Sequence, residues 1–279
     1  MPISKDDLEA LRKLSTPTVS NAVEQFHARP RNQGFMSPDI RCLFPDLGVM
    51  VGYAVTVVVE PGCPAHRSTN PSAGTEYRRY VAGIPGPKIV VVQDLDKPQV
   101  IGAFWGEVNA NAHRALGCVG TITDGAIRDL DEMTNAGFKA LARRLCVGHA
   151  FSHPVRWGCE VEVFGTKVSP GDLIHADKHG FLVIAPDEQE GLLDAARFMD
   201  ANECNTVMPV VRDSVGQKPL DILKDLEFAI AVFSQNVRAK FKRDGGRFIS
   251  INPVRTGYSA IADEWVPIKP GTDGALLLA

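Results

Sequence analysis

The chain has no apolar run approaching the roughly 20 residues needed to cross a bilayer, and Met1 to Leu14 is polar with mixed charge, unlike a secretory leader. A cytoplasmic protein is therefore expected. It has no excess of positive charge either. Its 30 basic and 33 acidic side chains leave a net charge of -3, which gives no electrostatic case for nucleic acid or an anionic membrane as partner. Close cysteine pairs are missing: Cys42, Cys63, Cys118, Cys146, Cys159 and Cys204 are scattered, which argues against a disulfide framework and a zinc knuckle and leaves most of them as small core fillers. The seven histidines are equally dispersed. His175 and His179 are four apart, but Pro170-Gly171-Asp172 before them and Gly180 after them read as strand and turn, not as a helical metal pair. There is no GxGxxG dinucleotide fingerprint, internal repeat or low-complexity segment. What remains, at 44% hydrophobic and 23% charged over 279 residues, suits one large globular domain or a domain with an appendage.

The most informative stretch runs from Phe104 to Asp129. Val100 to Phe104 is apolar and short enough for a buried strand ending at Trp105-Gly106. Glu107 to Leu116 has helical spacing, and Gly117 supplies the stop expected past a helix C-terminus. Cys118 to Thr123 is a β-branched run closed by the turn pair Asp124-Gly125, after which Arg128-Asp129 opens a polar helix. If the two strands are parallel, their ends lie side by side. Glu107 and Arg128-Asp129 then share a crevice at the carboxyl ends of the strands, where open α/β sheets bind ligands.

The residue types suggest the chemistry. Backbone N-H groups of Val108 and Asn109 at a helix start favour a carboxylate or phosphate. Arg128 offers a fork of donors to an oxygen that becomes negative during reaction. Asp129 and Glu107 are hard oxygen ligands with no histidine or cysteine beside them, a set suited to Mg2+ or Mn2+ rather than zinc. The plainer alternative for Arg128-Asp129 is a surface ion pair at a helix N-terminus.

This pattern resembles the class II pyruvate aldolases that cleave 4-hydroxy-4-methyl-2-oxoglutarate and 4-carboxy-4-hydroxy-2-oxoadipate, and their relatives named for regulator of ribonuclease activity A. The family signature is an acidic residue, twenty residues, Arg-Asp, two residues and an acidic residue. Here it reads Glu107, Val108 to Ile127, Arg128-Asp129, Leu130-Asp131 and Glu132. Leu14 to Ala22, Val51 to Val57 and Val168 to Asp177 agree as well, so the likeness covers roughly residues 10 to 203 and leaves out the last quarter.

The resemblance implies a compact α/β/α layered core and assembly as homotrimers or hexamers with active sites at subunit boundaries. Asp129 would bind Mg2+ or Mn2+ directly, with Glu107 acting through water. Arg128 would contact the pyruvyl carbonyl oxygen, and the Val108 and Asn109 amides would hold the pyruvyl carboxylate. Glu132 and, from a neighbouring subunit, Glu203 are further acidic positions, the latter otherwise a solvated helix end. The implied activity is aldol cleavage of a 4-hydroxy-2-oxo acid to pyruvate, with oxaloacetate decarboxylation able to share the enolate. One departure stands out: the aldolases carry Asp where this chain has Glu107, and Glu is more typical of the regulator-like relatives. A non-catalytic regulator binding a protein partner, or another metal-assisted reaction on a carbonyl substrate, is the alternative.

Around this centre, helices are expected at Asp6 to Leu14, Thr18 to Phe26 with Thr16 as N-cap, Ser72 to Ala82 and Asp187 to Glu203. Strands are expected at Val49 to Val59, Lys88 to Gln93, Phe138 to Leu145, Leu173 to Ala176 and Gly180 to Ile184, with a hairpin from Cys159 to Val168. Pro61 to Asn70 reads as a loop that suits a lid. Arg67, Arg78 and Arg79 suit either a polycarboxylate substrate or solvated surface, and His113 reads as a flank or subunit contact. A division at 1-204 and 205-279 follows. The extension holds a long amphipathic helix from Leu220 to Phe241 ended by Gly245-Gly246, then a strand from Phe248 to Ile251. It is expected to pack on the core or a neighbouring subunit, with substrate capping as the alternative.

Overall fold

The computed structural model describes residues 3-26, 28-36, 40-243, 249-251 and 264-267. It divides into two compact units, Met1–Arg197 and Phe198–Ala279. The first begins with helices α1 (Lys5–Leu11) and α2 (Thr16–Val23), then strands β1 (Arg41–Cys42) and β2 (Met50–Val59). Helices α3 (Ala65–Thr69) and α4 (Ala73–Gly83) lead to β3 (Lys88–Asp94) and β4 (Ala103–Trp105). Next come α5 (Glu107–Ala115), β5 (Cys118–Ile127), α6 (Leu130–Asn135) and β6 (Lys139–Leu145). The strands β7 (Pro154–Trp157), β8 (Val161–Val163), β9 (Thr166–Val168), β10 (Leu173–Asp177) and β11 (Gly180–Ile184) follow. Helix α7 (Leu192–Arg212) crosses the division between the units, and α8 (Pro219–Arg243) belongs to the second with the short strands β12 (Ile249–Ile251) and β13 (Glu264–Val266).

The fold is mixed α/β. Its main sheet has the order β1-β6-β5-β3-β2-β10-β11, with β4 paired to β5 and β7 to β2. The central β2, β3, β5 and β6 run parallel, while β1, β7, β10 and β11 are antiparallel to their neighbours. Buried parallel strands carry apolar residues on both faces, and β2 does so at nearly every position. Val55, Val57, Val90 and Val92 face a core with Tyr77 and Val81 of α4, Phe104, Trp105 and Phe138. Ala54, Val58, Ile89 and Val91 face the opposite core, closed by Val161 and Val163 of the β8–β9 hairpin and by Phe181. A third cluster joins Leu8, Leu11, Val19 and Val23 to Leu182, Ile184 and Leu192.

Several boundaries differ from the sequence expectations. Ser15, not Thr16, is the N-cap of α2, its side chain accepting from Thr18 N. Thr16 is committed elsewhere: its N donates to Asp177 and its hydroxyl donates to His175 Nδ1, whose Nε2-H donates to the Leu11 carbonyl. His175 is thus a buried structural group held neutral by burial. Asp124-Gly125 is no turn, since β5 continues through it to Ile127. Asp124 is buried, accepting from Asp94 N at 2.7 Å and Lys97 Nζ at 2.6 Å. The expected loop at Pro61 to Asn70 contains α3.

In the second unit, Asn202 on α7 donates to the Phe233 carbonyl of α8 at 3.1 Å and accepts from Asn236 at 2.7 Å. The long helix is present, but Leu223 and Ile230 of its apolar stripe remain 53% and 49% exposed. A single neighbouring helix covers only part of such a stripe. The strand expected at Phe248 to Ile251 is β12, parallel to β13. The Gly245-Gly246 stop lies outside the described residues.

Candidate functional site

The site grows from one strand pairing. Parallel β4 and β5 bring Trp105 opposite Ile127, and Arg128 N donates to the Trp105 carbonyl at 3.1 Å. Immediately beyond this pair both segments turn into helices, α5 after Gly106 and α6 after Asp129. Asp129 sits in the left-handed region, φ 57° and ψ 52°, a conformation that costs most residues energy and that Asp tolerates better than most. Its side chain does not cap its own helix. Instead Oδ2 accepts from Glu107 N, the first amide of α5, at 3.0 Å. The next two first-turn amides, Val108 and Asn109, have no intrahelical acceptor.

Gly106 is required by this closeness. A Cβ there would lie 2.5 Å from Asp129 Oδ2 and 3.3 Å from Arg128 Cγ and Nε. Arg128 Nε is 3.6 Å from Asp129 Oδ2, with the two side chains 39% and 34% exposed. That pair is loose and contributes little stability, so the guanidinium is not committed to it. Its Nη1 donates to the Val147 carbonyl at 3.4 Å.

These groups line a cavity of about 490 Å3 together with Glu107, Val108 and Asn109. Arg67 and Arg78 form part of its wall and also line an adjoining cavity of about 280 Å3, with Phe104, Asn109 and Ser152 common to both. Five of the site residues expected from sequence therefore meet: Glu107, Val108, Asn109, Arg128 and Asp129. Glu132 is exposed on the first turn of α6 and is not on the lining. Glu203 lies on α7 in the second unit. Arg79 is on α4 but off both linings.

His149 and Ser152 on the lining escaped the sequence reading. The His149 Nδ1-H donates to the Ala150 carbonyl at 2.8 Å, which leaves Nε2 as the basic nitrogen. Ser152 Oγ is buried with no partner among the described residues. Both come from a loop without periodicity, pinned by Ala103 N to the Gly148 carbonyl and Phe151 N to the Pro61 carbonyl. No local signal marks them.

Beneath α5 lies a buried polar pair. His113 Nδ1-H donates to the Asn109 carbonyl at 2.7 Å, so Nε2 accepts from the Tyr77 hydroxyl at 3.0 Å. Burial pushes His113 down to about 4 and Tyr77 well above its ordinary value. The Trp105 ring packs edge-on to His113 at 4.7 Å. His113 is therefore a neutral support for the helix start, in the core rather than on a flank.

The donor set fits a hard divalent cation. Asp129 keeps Oδ1 without a partner among the described residues, and Glu107 adds an exposed carboxylate on the same lining. A site with one or two carboxylates, its other positions filled by water or substrate, is typical for Mg2+.

A family model described as RraA-like, Aldolase/RraA, matches residues 16–183. Protein DlpA of Legionella pneumophila is 22% identical over 151 residues, covering 52% of this chain and 23% of that protein. The chain spans less than a quarter of the length of the first two curated relatives it matches. Among solved structures, an uncharacterized protein from Pseudomonas syringae superposes with a TM-score of 0.63 at 21% identity, covering 83% of this chain and 95% of that one. RraAS2 of Streptomyces coelicolor, described as an unusual member of the RNase ES inhibitor RraA protein family, gives 0.56 at 20% identity, covering 73% and 96%. Both likenesses concern the fold.

Proposed function

The chain belongs to the RraA-like aldolase/RraA family, and from that premise we propose that it is a divalent-metal-dependent lyase cleaving a 4-hydroxy-2-oxo acid to pyruvate. The observation that carries this reading is the convergence of Arg128, Asp129, Glu107 and two open helix-start amides on one cavity. Family membership alone is compatible with a lyase or with a regulator.

In aldol cleavage a base takes the 4-hydroxyl proton, the C3–C4 bond breaks, and its electron pair moves through C3–C2 onto the 2-oxo oxygen. The products are a carbonyl compound from C4 and the enolate of pyruvate. Val108 and Asn109 N-H groups would hold the C1 carboxylate at the positive end of α5. Arg128 would donate to the 2-oxo oxygen as negative charge collects there. Asp129 and Glu107 would hold Mg2+ or Mn2+, Glu107 through water; the cation supplies Lewis-acid stabilisation of the same charge. Arg67, Arg78 and the Ser152 hydroxyl, which has no partner among the described residues, line the same cavity and favour a substrate whose distal half is also anionic. Oxaloacetate decarboxylation, which passes through the same enolate, is a companion activity.

A homotrimer or hexamer is the proposed assembly, in the cytoplasm, with Glu203 of a neighbouring subunit and Glu132 as lesser acidic contributors. The open depression beside Arg128 formed with Leu130, Leu145, Cys146 and the 95% exposed Val147 supports a protein surface packing there. That same surface, with Glu107 in place of the aldolases' Asp, favours the second reading, a regulator that binds another protein. Assays with Mn2+ and several 4-hydroxy-2-oxo acids separate the two. Pyruvate should appear, and Arg128→Ala or EDTA should abolish it; release unaffected by either rejects the lyase mechanism.

A further inference from the structure

Outside this cavity, one cluster among the described residues has the composition of a transition-metal site. Glu60, Cys63 and His66 each present a ligand atom, and these atoms all lie within 4.8 Å of one another. The spacing follows from local structure. Glu60 directly follows β2, Cys63 N donates back to the Glu60 carbonyl at 3.1 Å to close a turn over Pro61-Gly62, and His66 stands on the first turn of α3. Gly62 N is anchored from outside the cluster by Asp96 Oδ2 at 2.6 Å, and the Pro61 carbonyl accepts from Phe151 N at 3.0 Å. Two prolines, Pro61 and Pro64, stiffen the same turn. The three side chains are held together by the fold, and His66 Nε2 already lies 2.5 Å from Glu60 Oε2.

We propose that Glu60, Cys63 and His66 form a second cation site, selective for Zn2+ or a metal of similar softness, that ties the start of α3 to the end of β2. A thiolate, an imidazole and a carboxylate are zinc ligands, whereas Mg2+ and Mn2+ prefer oxygen throughout. With Cys63 deprotonated the set carries two negative charges, matching a divalent ion. Three protein ligands leave one tetrahedral position for water. The cation would enter between His66 and Glu60, replacing their direct contact with two coordinate bonds. Arg67 follows His66 in the chain and lines both cavities, so fixing α3 also fixes part of the basic lining that the larger cavity shares with Arg128. The site is independent of the reading given to Asp129.

Co2+ is the probe, because a thiolate ligand gives it a near-ultraviolet charge-transfer band that oxygen ligands do not. Reduced, metal-free full-length protein should develop this band at one Co2+ per chain and lose it on adding equimolar Zn2+. Cys63→Ser should remove the band. His66→Gln, which keeps the thiol, should weaken Zn2+ binding by more than the roughly 10–100-fold typical of losing a mere outer-shell partner. Asp129→Asn should leave the band intact, which separates this cluster from the proposed lyase metal. Circular dichroism and melting confirm that each variant is folded. No band in the wild-type protein, a band that survives Cys63→Ser, or Zn2+ affinity unchanged in His66→Gln overturns the proposal.

Discussion

Replacing Gly106 with alanine tests the site without disturbing the fold that carries it. The backbone there is extended, φ -169°, a conformation alanine adopts freely, so the substitution acts through space alone. The added methyl would lie 2.5 Å from Asp129 Oδ2, and relief requires the oxygen to retreat by about 1 Å toward ordinary contact distance. That motion stretches or breaks the 3.0 Å bond from Glu107 N. Losing a helix cap of this kind costs about 0.5–2 kcal/mol, and partial exposure of Asp129 puts the loss at the low end, a shift of a few degrees in Tm.

Function should suffer far more. A displacement of 1 Å in a preorganised site can reduce rate by about 100-fold, or roughly 2.7 kcal/mol of transition-state stabilisation. Gly106→Ala should therefore melt almost as the wild type does, bind Mn2+ more weakly by calorimetry, and release pyruvate about two orders of magnitude more slowly in a lactate dehydrogenase-coupled assay. Wild-type Mn2+ affinity together with a wild-type rate would refute the role given to the Asp129 carboxylate. A large drop in Tm would refute the claim that the clash is confined to the site.

Glu107→Asp should raise kcat/KM for pyruvate release if the longer side chain is what holds this protein below the aldolases, and a lower or unchanged value would reject that account. The pH dependence of stability should trace to Asp94, whose carboxyl is pushed up to about 7, first by burial and then by Asp96 and Asp124, against the backbone bond from Asp96 and the charge of Lys97. The folded state then holds a proton that the unfolded chain loses near pH 4. The resulting stabilisation is complete below about pH 4 and is lost as pH rises through about 7, by no more than about 4 kcal/mol. Asp94→Asn should flatten the fall in Tm between those limits, and an unchanged slope would locate the titrating group elsewhere.

The central strands were legible because burial on both faces writes itself as unbroken β-branched runs, as in Val55 to Val59 and Ile89 to Val92. Asp124-Gly125 was not, because its local turn preference is overridden by distant partners. Asp124 is satisfied by Asp94 and Lys97 inside the sheet, and a Cβ at Gly125 would meet Asp94 Oδ2 at 2.7 Å. Thr16 misled for the same reason: a hydroxyl that suits a cap is bonded instead to His175. The half of the cavity built from strand ends followed from sequence, while His149 and Ser152 depend on a loop held by backbone bonds to Ala103 and Pro61 that no local pattern records.

The spacing between Glu107 and Arg128 is informative because it is a property of the sheet rather than of either residue. Trp105 must stand opposite Ile127 for Arg128 N to reach the Trp105 carbonyl, while β5 also keeps register with β3 and β6. Inserting one residue in β5 would turn the following side chains to the other face of the sheet, removing Ile122 from one core or Ile127 from the other. The separation can therefore change only in the α5–β5 turn or at a bulge. Such a bulge already exists between Thr123 and Ala126 on the β6 side. It allows β5 to pass Asp124 and Gly125 and still deliver Arg128 and Asp129 to the start of α5. The bonds from Asp94 N and Lys97 Nζ satisfy the Asp124 carboxylate where the register shifts, three residues before β5 ends at Ile127.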